Sequence, residues 1–251
     1  MIKKVAVSCA TLLLVLTATL VLSACVGVKN ISDVDYSKEP INVRDAMIKH
    51  KGLWYGISMY DPNDSSSIKE KKDYIVNFVF DADGNGNVTT YAATSAIYNS
   101  SQAYKSMDPS FKPVCMRLGD ICDKSDEQIL AMVKDNDKKG FDQVKELYTK
   151  SGSSELASQF DGKEYEEPTP QPATFSKDGD KTDNLSVKLP NYYVIVGGPS
   201  ETSMALEVDK ANDYAFDVGD TYFGGISYIC CRINNYNPET YKGFVYKRAE
   251  A

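Results

Sequence analysis

The chain has 251 residues, of which 42% are hydrophobic, and a formal net charge of −7. This length allows one large domain or two small ones, and the apolar content is enough for a sizeable core, which excludes a chain that is disordered throughout. Because an acidic surface repels the phosphates of DNA and RNA, nucleic acid is not expected as a partner.

The first 25 residues follow the plan of a secretory signal peptide. Lys3 and Lys4 precede an uncharged apolar run over 5–22, and small residues then lead to Cys25. No second apolar run of spanning length follows, so the remainder of the chain is expected outside the cytoplasm. Two alternatives stay open. The run of 18 residues is close to the length of a membrane-spanning helix, and an ordinary signal could leave Cys25 as a free thiol.

The last four residues of this segment are Leu22-Ser23-Ala24-Cys25. They resemble the lipobox of bacterial lipoproteins, as found in small surface lipoproteins of Gram-positive bacteria. The resemblance implies cleavage after residue 24 and a diacylglyceryl thioether on Cys25, with a further acyl chain such as palmitate as an option. It also implies a protein that is lipid-anchored on the extracytoplasmic face of the cell membrane.

The organisation predicted for the chain has three parts: a signal peptide over 1–24, the lipidated cysteine with a polar tether over 25–45, and a single β-rich extracytoplasmic domain over 46–251. Within this domain we expect a helical insertion at 122–150 and a flexible segment at 151–188, because the latter is polar and rich in Pro, Asp and Lys.

Eight segments have the composition of strands. Three lie early in the domain (52–60, 71–81 and 87–98), and five lie late (191–197, 202–209, 213–219, 225–236 and 243–249). Between the two groups, Ser125 and Gln128 form a capping box ahead of an apolar face at helical spacing. This pattern predicts two short helices, or one helix broken at Gly140. The fold class is therefore mainly β (α+β): an antiparallel barrel or sandwich of about eight strands with a short helical insertion.

Gly52 and Trp54 open the first of these strands in the sequence KGLWYG. They resemble the G-x-W motif of lipocalin-type barrels. The resemblance implies a barrel with an interior cavity for a small apolar ligand, and a basic residue near the last strand, here Arg248, that packs against the tryptophan. A lone tryptophan buried in any β core is the alternative interpretation.

A calcium site is one interpretation of the sequence DADGNGN. Asp81, Asp83, Asn85 and Asn87 match the first oxygen ligands of an EF-hand loop. The bidentate glutamate at the twelfth position is replaced by Ala92, and strands rather than helices flank the loop. A hairpin turn that uses Gly and Asn at positive φ is the favoured interpretation.

Six cysteines are present. Cys9 leaves with the signal peptide and Cys25 receives the lipid, so an even set of four remains in the exported domain. An even number predicts two disulfides with three open pairings, although buried free thiols are an alternative. The spacing does not match the paired hooks of a zinc site. The four cysteines are Cys115, Cys122, Cys230 and Cys231.

Few groups suit catalysis. His50 is the sole histidine, and a Ser-His or Cys-His site needs a histidine as its base. Ser200 lies in a Gly-Gly-Pro-Ser sequence that is typical of a turn. The carboxylates of Glu164, Glu166 and Glu167 lie in the segment that we predict to be flexible, where no rigid acid–base geometry is expected. The sequence contains neither a P-loop nor a dinucleotide-binding fingerprint.

The sequence therefore predicts a membrane-anchored extracytoplasmic lipoprotein with a non-catalytic binding or interaction role, without an assigned catalytic residue or cofactor. A small molecule or another surface component is the expected partner. A cell-envelope hydrolase, a weak calcium-binding surface protein and a structural envelope protein are the alternatives. Seventeen tyrosines could supply a ligand surface. Those in the C-terminal part are Tyr192, Tyr193, Tyr214, Tyr222, Tyr228, Tyr236, Tyr241 and Tyr246.

Overall fold

The computed structural model describes residues 28–63, 66–96, 98–178, 182–188, 201–207 and 213–247. The signal peptide, Cys25, Arg248 and the predicted strand 191–197 lie outside these residues. The helices are α1 (Val43–Lys49), α2 (Tyr98–Met107), α3 (Asp126–Lys150) and α4 (Ser154–Ser158). The strands are β1 (Ile41–Asn42), β2 (Lys51–Ser58), β3 (Ile75–Asp83), β4 (Asn87–Ala92), β5 (Met116–Arg117), β6 (Gln171–Pro172), β7 (Thr174–Asp178), β8 (Thr182–Lys188), β9 (Glu201–Glu207), β10 (Asp213–Val218), β11 (Thr221–Ile226), β12 (Ile229–Ile233) and β13 (Phe244–Val245).

The main sheet is antiparallel, with the order β10-β11-β12-β2-β3-β4-β6, and β5 pairs with one end of β3. Strands β7, β8 and β9 form a second antiparallel sheet, and β1 pairs with β13 in parallel. The prediction of a mainly β, α+β fold with antiparallel sheets is therefore confirmed. The predicted barrel is wrong, because within the described residues the main sheet stays open, with β10 at one edge and β6 at the other.

Both faces of the main sheet are covered. Trp54 and Tyr55 are consecutive in β2 and each is 0% exposed, because successive side chains of a strand point to opposite faces. Trp54 belongs to a core formed with α1, the second half of α3 and Leu185 of the second sheet. Tyr55 belongs to a second core, which is closed by the first half of α3 and by side chains of β10 and β11.

Residues with positive φ close the β3–β4 and β11–β12 hairpins. Between β3 and β4, Gly84 and Gly86 have φ of 73° and 89°, which confirms the predicted turn. The segment 225–236 was expected to form one strand, and that prediction is wrong. It turns at Ser227, which has a φ of 56°, so that β11 and β12 pair with each other. Gly225 of β11 lies so close to β12 that a Cβ at this position would be 2.0 Å from the carbonyl oxygen of Ile229.

Helix α3 is continuous, so a break at Gly140 is not observed. The helix begins as predicted, with a capping box. The hydroxyl of Ser125 accepts a hydrogen bond from the amide of Gln128 at 3.3 Å, and the side chain of Gln128 accepts one from the amide of Ser125 at 2.9 Å. A glycine within a helix costs about 1 kcal/mol relative to alanine but does not by itself end it. Gly140 is buried, and the packing of Phe141 and Val144 into the core offsets this cost.

The helix crosses the edge of the main sheet near its midpoint. Asp137 is 0% exposed there, and its carboxylate accepts the amide of Ala92 at 2.9 Å and the hydroxyl of Tyr165 at 2.7 Å. The preceding Asn136 donates to the carbonyl of Ala93 at 3.1 Å. Side chains of α3 thus satisfy backbone groups at the end of β4, where the short β6 no longer pairs with it.

Two segments that were expected to lack regular structure contain it. Described residues 28–45, which were predicted to be part of a tether, belong to the fold: Ile31 and Tyr36 are buried, and β1 lies in this range. The segment 151–188, which was predicted to be flexible, contains α4, β6, β7 and β8. Phe160 anchors it, because its ring packs edge-on against Phe141 at 5.6 Å and Tyr148 at 5.4 Å.

Candidate functional site

A groove lies where the first described segment meets the C-terminal segment. Its two walls are residues 33–37 and 235–241, and its volume is about 250 Å³. Backbone hydrogen bonds join the walls, from Lys242 to the carbonyl of Tyr36 at 2.9 Å and from Asn234 to the carbonyl of Ser32 at 2.9 Å. We call this site the tyrosine groove, because Tyr36 and Tyr241 line it.

Aromatic rings run from this groove into the core. Tyr36 packs against Tyr241 at 5.9 Å and edge-on against Phe244 at 5.2 Å. Phe244 in turn contacts Trp54 edge-on at 5.6 Å. Burial raises the pKa of Tyr36, so its hydroxyl stays protonated and donates to the carbonyl of Ile31 at 2.9 Å. Both ring packing and a hydrogen bond therefore hold Tyr36 in the floor of the groove.

The aromatic series continues outward over the surface. Tyr236 contacts Tyr241 at 5.2 Å and stacks on Tyr222 at 4.5 Å with an interplanar angle of 22°. Tyr222 is 38% exposed, whereas Tyr236 and Tyr241 are half-buried. A ligand in the groove would thus meet aromatic rings that are already held by their neighbours.

Gly224 of β11 makes room for Tyr241. A Cβ at this position would lie 2.6 Å from the Tyr241 hydroxyl and 2.4 Å from Cδ1 of Ile233. Both distances are shorter than van der Waals contact, so a larger residue would displace the tyrosine. The missing side chain is what lets Tyr241 lie over the sheet next to the groove.

The polar lining is acidic and amide-rich. Asp35 accepts hydrogen bonds from the hydroxyl of Ser37 at 2.6 Å and from its amide at 3.1 Å, and these bonds lower the pKa of Asp35. Asp33 accepts from the side chain of Asn234 at 2.7 Å. Asn237 caps the turn that follows it, since its side-chain oxygen accepts the amide of Glu239 at 2.9 Å. The lining therefore combines fixed carboxylates and amides with aromatic rings.

Of the tyrosines predicted to form a ligand surface, the structure brings Tyr222, Tyr236 and Tyr241 into contact with one another, and Tyr241 lines this groove. Tyr214 packs with Phe216 elsewhere, Tyr246 is buried, and Tyr228 is exposed at the opposite end of β12. Tyr192 and Tyr193 lie outside the described residues. Sequence reasoning missed Tyr36 because its polar neighbours suggested a tether. Its only signal was that an aromatic residue is unusual in such a segment.

The four calcium candidates lie on the β3–β4 hairpin but have different surroundings. The carboxylate of Asp83 accepts the amides of Asn85 at 2.6 Å and Asn87 at 3.1 Å, and the side chain of Asn87 at 2.8 Å. Burial raises the pKa of Asp81, with a further contribution from Asp126. The strands on either side confirm the hairpin interpretation.

Calcium binding remains a prediction, and a cation would have to compete with the amides that already occupy Asp83. Across the ranges that the structure describes, His, Cys, Asp and Glu side chains form no group of three or more able to hold a metal ion.

All four cysteines of the domain are free, so the predicted disulfides are not formed in this structure. Cys230 and Cys231 are each 0% exposed and belong to different cores, as expected for neighbours on a strand. Burial raises the pKa of Cys231 to about 12 and that of Cys230 well above its usual value. Such thiols are unreactive. Cys115 and Cys122 are partly exposed.

Among the residues that the structure describes, those considered for catalysis are not brought together. Burial lowers the pKa of His50, and the charged groups that act on it are Lys29 and Lys49 rather than a carboxylate. Glu164 and Glu167 are exposed and pair with Lys145 at 3.4 Å and Lys134 at 2.6 Å. Glu166 is exposed as well, and Ser200 lies outside the described residues. This arrangement does not supply the acid–base partner that a hydrolase based on His50 requires.

The lipocalin-like residues have a simpler role in the structure. Trp54 packs against Phe244, which lies in the segment that was expected to provide a basic partner. Arg248 itself lies outside the described residues. The open main sheet also differs from the closed barrel that the resemblance implies.

A second, larger depression of about 480 Å³ lies between the segment after α2 and the end of α3. Its polar groups are paired with one another: Gln143 donates to the carbonyl of Lys112 at 2.5 Å, and Lys150 pairs with Glu146. Phe111, the one aromatic side chain among the described residues that line it, is 6% exposed. It therefore offers less for recognition than the tyrosine groove.

No family model, curated protein or solved structure matches this chain. Among the described helices, none combines the length and the apolar character needed to cross a bilayer.

Proposed function

We propose that the protein is an extracytoplasmic lipoprotein, anchored in the cell membrane through Cys25, with a non-catalytic binding role. The lipobox-like sequence Leu22-Ser23-Ala24-Cys25 supports the anchor. Each buried CH₂ group contributes about 0.8 kcal/mol, and one acyl chain binds only reversibly. Two or three chains on one cysteine would hold the protein at the membrane for long times.

The tyrosine groove is the proposed ligand site. The observation that supports this assignment is the combination of Tyr36 and Tyr241 with the carboxylates and amides of Asp33, Asp35 and Asn237 in one concave surface. Ligand pockets commonly have volumes of about 300–1,000 Å³. A groove of about 250 Å³ therefore suits a small group, or one unit at the end of a longer chain.

The chemistry of this lining favours a neutral carbohydrate. Tyrosine rings present an apolar face to the C–H groups of a sugar, while amides and carboxylates bind its hydroxyls. The two aspartates disfavour an anionic ligand, because lysine and arginine are absent from the described lining of the groove. Asp35 also pairs with the neighbouring Lys38 at 3.5 Å, and each aspartate accepts a hydrogen bond from a nearby side chain, so neither requires a cationic ligand.

We also propose a two-layer, sandwich-like packing of the main sheet and the sheet of β7–β9. The burial of Leu185 of β8 in the same core as Trp54 supports this arrangement.

Binding of defined sugars to the purified full chain in detergent tests the ligand assignment. We expect neutral sugars to bind and the corresponding uronic acids to bind at least tenfold more weakly. Tyr241→Ala should weaken binding at least tenfold, whereas Tyr228→Ala, an exposed tyrosine away from the groove, should leave it unchanged. Equal losses in the two variants, or no binding of any neutral sugar, would reject the groove as a sugar site.

Cell fractionation tests the anchor. The wild-type chain should remain with the membranes and should carry a lipid mass on Cys25. Cys25→Ser should move the protein to the soluble extracytoplasmic fraction. A Cys25→Ser protein that stays in the membrane would instead favour the uncleaved transmembrane segment.

A further inference from the structure

The described fold begins very close to the proposed lipid. Only Val26 and Gly27 separate Cys25 from Val28 in the sequence. Three Cα-to-Cα steps reach at most about 11 Å even when the chain is fully extended. Given the proposed anchor at Cys25, on which this placement depends, Val28 must lie within about 11 Å of the lipidated cysteine.

Val28 and Lys29 are held firmly against the main sheet. The carbonyl of Lys29 accepts the amide of Lys51 at 3.2 Å, and Asn30 forms a parallel bridge with Lys51 at the start of β2. Val28 packs over the β3–β4 turn, where a Cβ on Gly84 would lie 2.2 Å from Cγ1 of Val28. The amide of Gly86 in the same turn donates to the carbonyl of Ile48 in α1 at 3.0 Å. The chain thus enters the fold at one fixed place.

The surface around this entry point carries three exposed lysines: Lys29, Lys49 and Lys51. We call the surface formed by these lysines, Val28 and the turn at 84–86 the anchor face. Two carboxylates lie near it. Asp45 pairs with Lys49 at 3.2 Å, and Asp83, opposite Lys51 in the ladder, accepts the amides of its own turn. The anchor face therefore keeps an excess of positive charge in a chain of net charge −7.

We infer that the anchor face is the membrane-docking surface of the domain and that its partner is a layer of anionic lipid headgroups. The short link leaves no other end of the sheet able to face the bilayer. Lysines near an anionic lipid surface are attracted to it, whereas the acidic remainder of the protein is repelled. Lipid anchor and lysines together hold the domain in one orientation.

This orientation determines which parts of the fold lie near the membrane and which lie far from it. Strand β2 runs away from the anchor face and its eight residues extend about 24 Å. Met59, Tyr60 and Tyr228 lie at its far end and are exposed, so they stand away from the membrane. The tyrosine groove lies at the near end, because Asn234 follows β12 where that strand runs antiparallel to the start of β2. A ligand in the tyrosine groove would therefore bind close to the lipid surface.

Contact quenching by lipids that carry a spin label tests this orientation. The full chain is purified in detergent and reconstituted into vesicles of phosphatidylcholine, with or without anionic phosphatidylglycerol. A fluorophore is attached at Asn85→Cys on the anchor face or at Tyr228→Cys at the far end, with Cys115 and Cys122 replaced by serine. We expect strong quenching at 85, little at 228, and a larger difference in the anionic vesicles.

Two lysine triples provide the matched comparison. Lys29→Gln, Lys49→Gln and Lys51→Gln together should reduce quenching at 85 in anionic vesicles at least twofold. Lys69→Gln, Lys71→Gln and Lys72→Gln, which are exposed lysines near the opposite end of the sheet, should not change it. Equal quenching at 85 and 228 in membrane-bound protein would overturn the orientation while leaving the anchor intact. Failure of the wild-type chain to bind either vesicle would instead reject the proposed anchor.

Discussion

The carboxylate of Asp137 in α3 accepts the backbone amide of Ala92 in β4 at 2.9 Å, in a place where both residues are buried. A helix side chain here takes the role that a neighbouring strand would have, because β6 pairs only with the first two residues of β4. The hydroxyl of Tyr165 approaches the other oxygen of the same carboxylate at 2.7 Å. One aspartate therefore joins the helix, the main sheet and the segment that follows α4.

We predict that Asp137→Ala lowers the free energy of unfolding by about 3–5 kcal/mol. The change leaves a buried amide and a tyrosine hydroxyl without this acceptor, and hydrogen bonds to charged groups contribute about 1.5–3 kcal/mol each. Chemical denaturation followed by circular dichroism measures the loss. Asp142→Ala, on the same helix but exposed and paired with the exposed Lys138, should cost less than about 1 kcal/mol. Similar losses for the two variants would contradict the role of Asp137.

Replacing Asp81 or Asp83 of the β3–β4 hairpin by a neutral residue should change the free energy of unfolding in opposite directions. Burial raises the pKa of Asp81, so its charge opposes folding at neutral pH. Although burial acts in the other direction, hydrogen bonds from Asn87 and Asn85 lower the pKa of Asp83, so its charge favours folding. We predict that Asp81→Asn stabilises the protein by up to about 1 kcal/mol and that Asp83→Asn destabilises it by about 0.5–1 kcal/mol at neutral pH.

The pH dependence provides the check. The contribution of Asp83 is present above its unfolded pKa of about 3.9 and is lost as the pH falls through its lower folded value. The contribution of Asp81 is present in acid and is lost as the pH rises through its raised folded value. Thermal unfolding between neutral and acidic pH should therefore show both variants converging on the wild type in acid. Shifts of the same sign at neutral pH would refute this account.

Gly224→Ala should disturb the tyrosine groove more than the rest of the fold. The added methyl group would collide with the hydroxyl of Tyr241 and with Ile233, and overpacking of this kind costs about 1–3 kcal/mol. We expect weaker sugar binding with retained secondary structure. Tyr241→Phe in the same chain removes the crowded oxygen and should restore part of the stability. If the double variant is no more stable than Gly224→Ala alone, the steric clash is with Ile233 rather than with the hydroxyl of Tyr241.

Thiol reactivity should divide the cysteines into two pairs. Cys115 and Cys122 are partly exposed, whereas Cys230 and Cys231 are fully buried with raised pKa values. We predict rapid alkylation of Cys122 at mildly alkaline pH, slower alkylation of Cys115 because burial raises its pKa, and alkylation of the second pair only as fast as the protein unfolds. Mass spectrometry of peptides from the native protein resolves each site. Protection of Cys115 and Cys122 that is lifted by reduction would show that disulfides form after all.

Local signals in the sequence determined several elements of this protein. The Ser125–Gln128 capping box begins α3 where predicted, and the Asp-Gly-Asn-Gly sequence forms the β3–β4 hairpin. Each depends on hydrogen bonds or φ angles within a few residues, so composition and spacing suffice to predict it. The lipobox-like sequence is equally local, and the membrane location that it implies remains a prediction.

Only the tertiary structure decided where the tyrosine groove, the α3 crossing and the anchor face lie. Tyr36 meets Tyr241 from the far end of the described chain, and Asp137 meets Ala92 across the middle of the sequence. The polar composition around Tyr36 suggested a tether, because no short-range pattern reveals that β1 pairs with β13. Contacts between distant segments depend on how the sheets close around the core, and that packing converts separate polar and aromatic residues into a site.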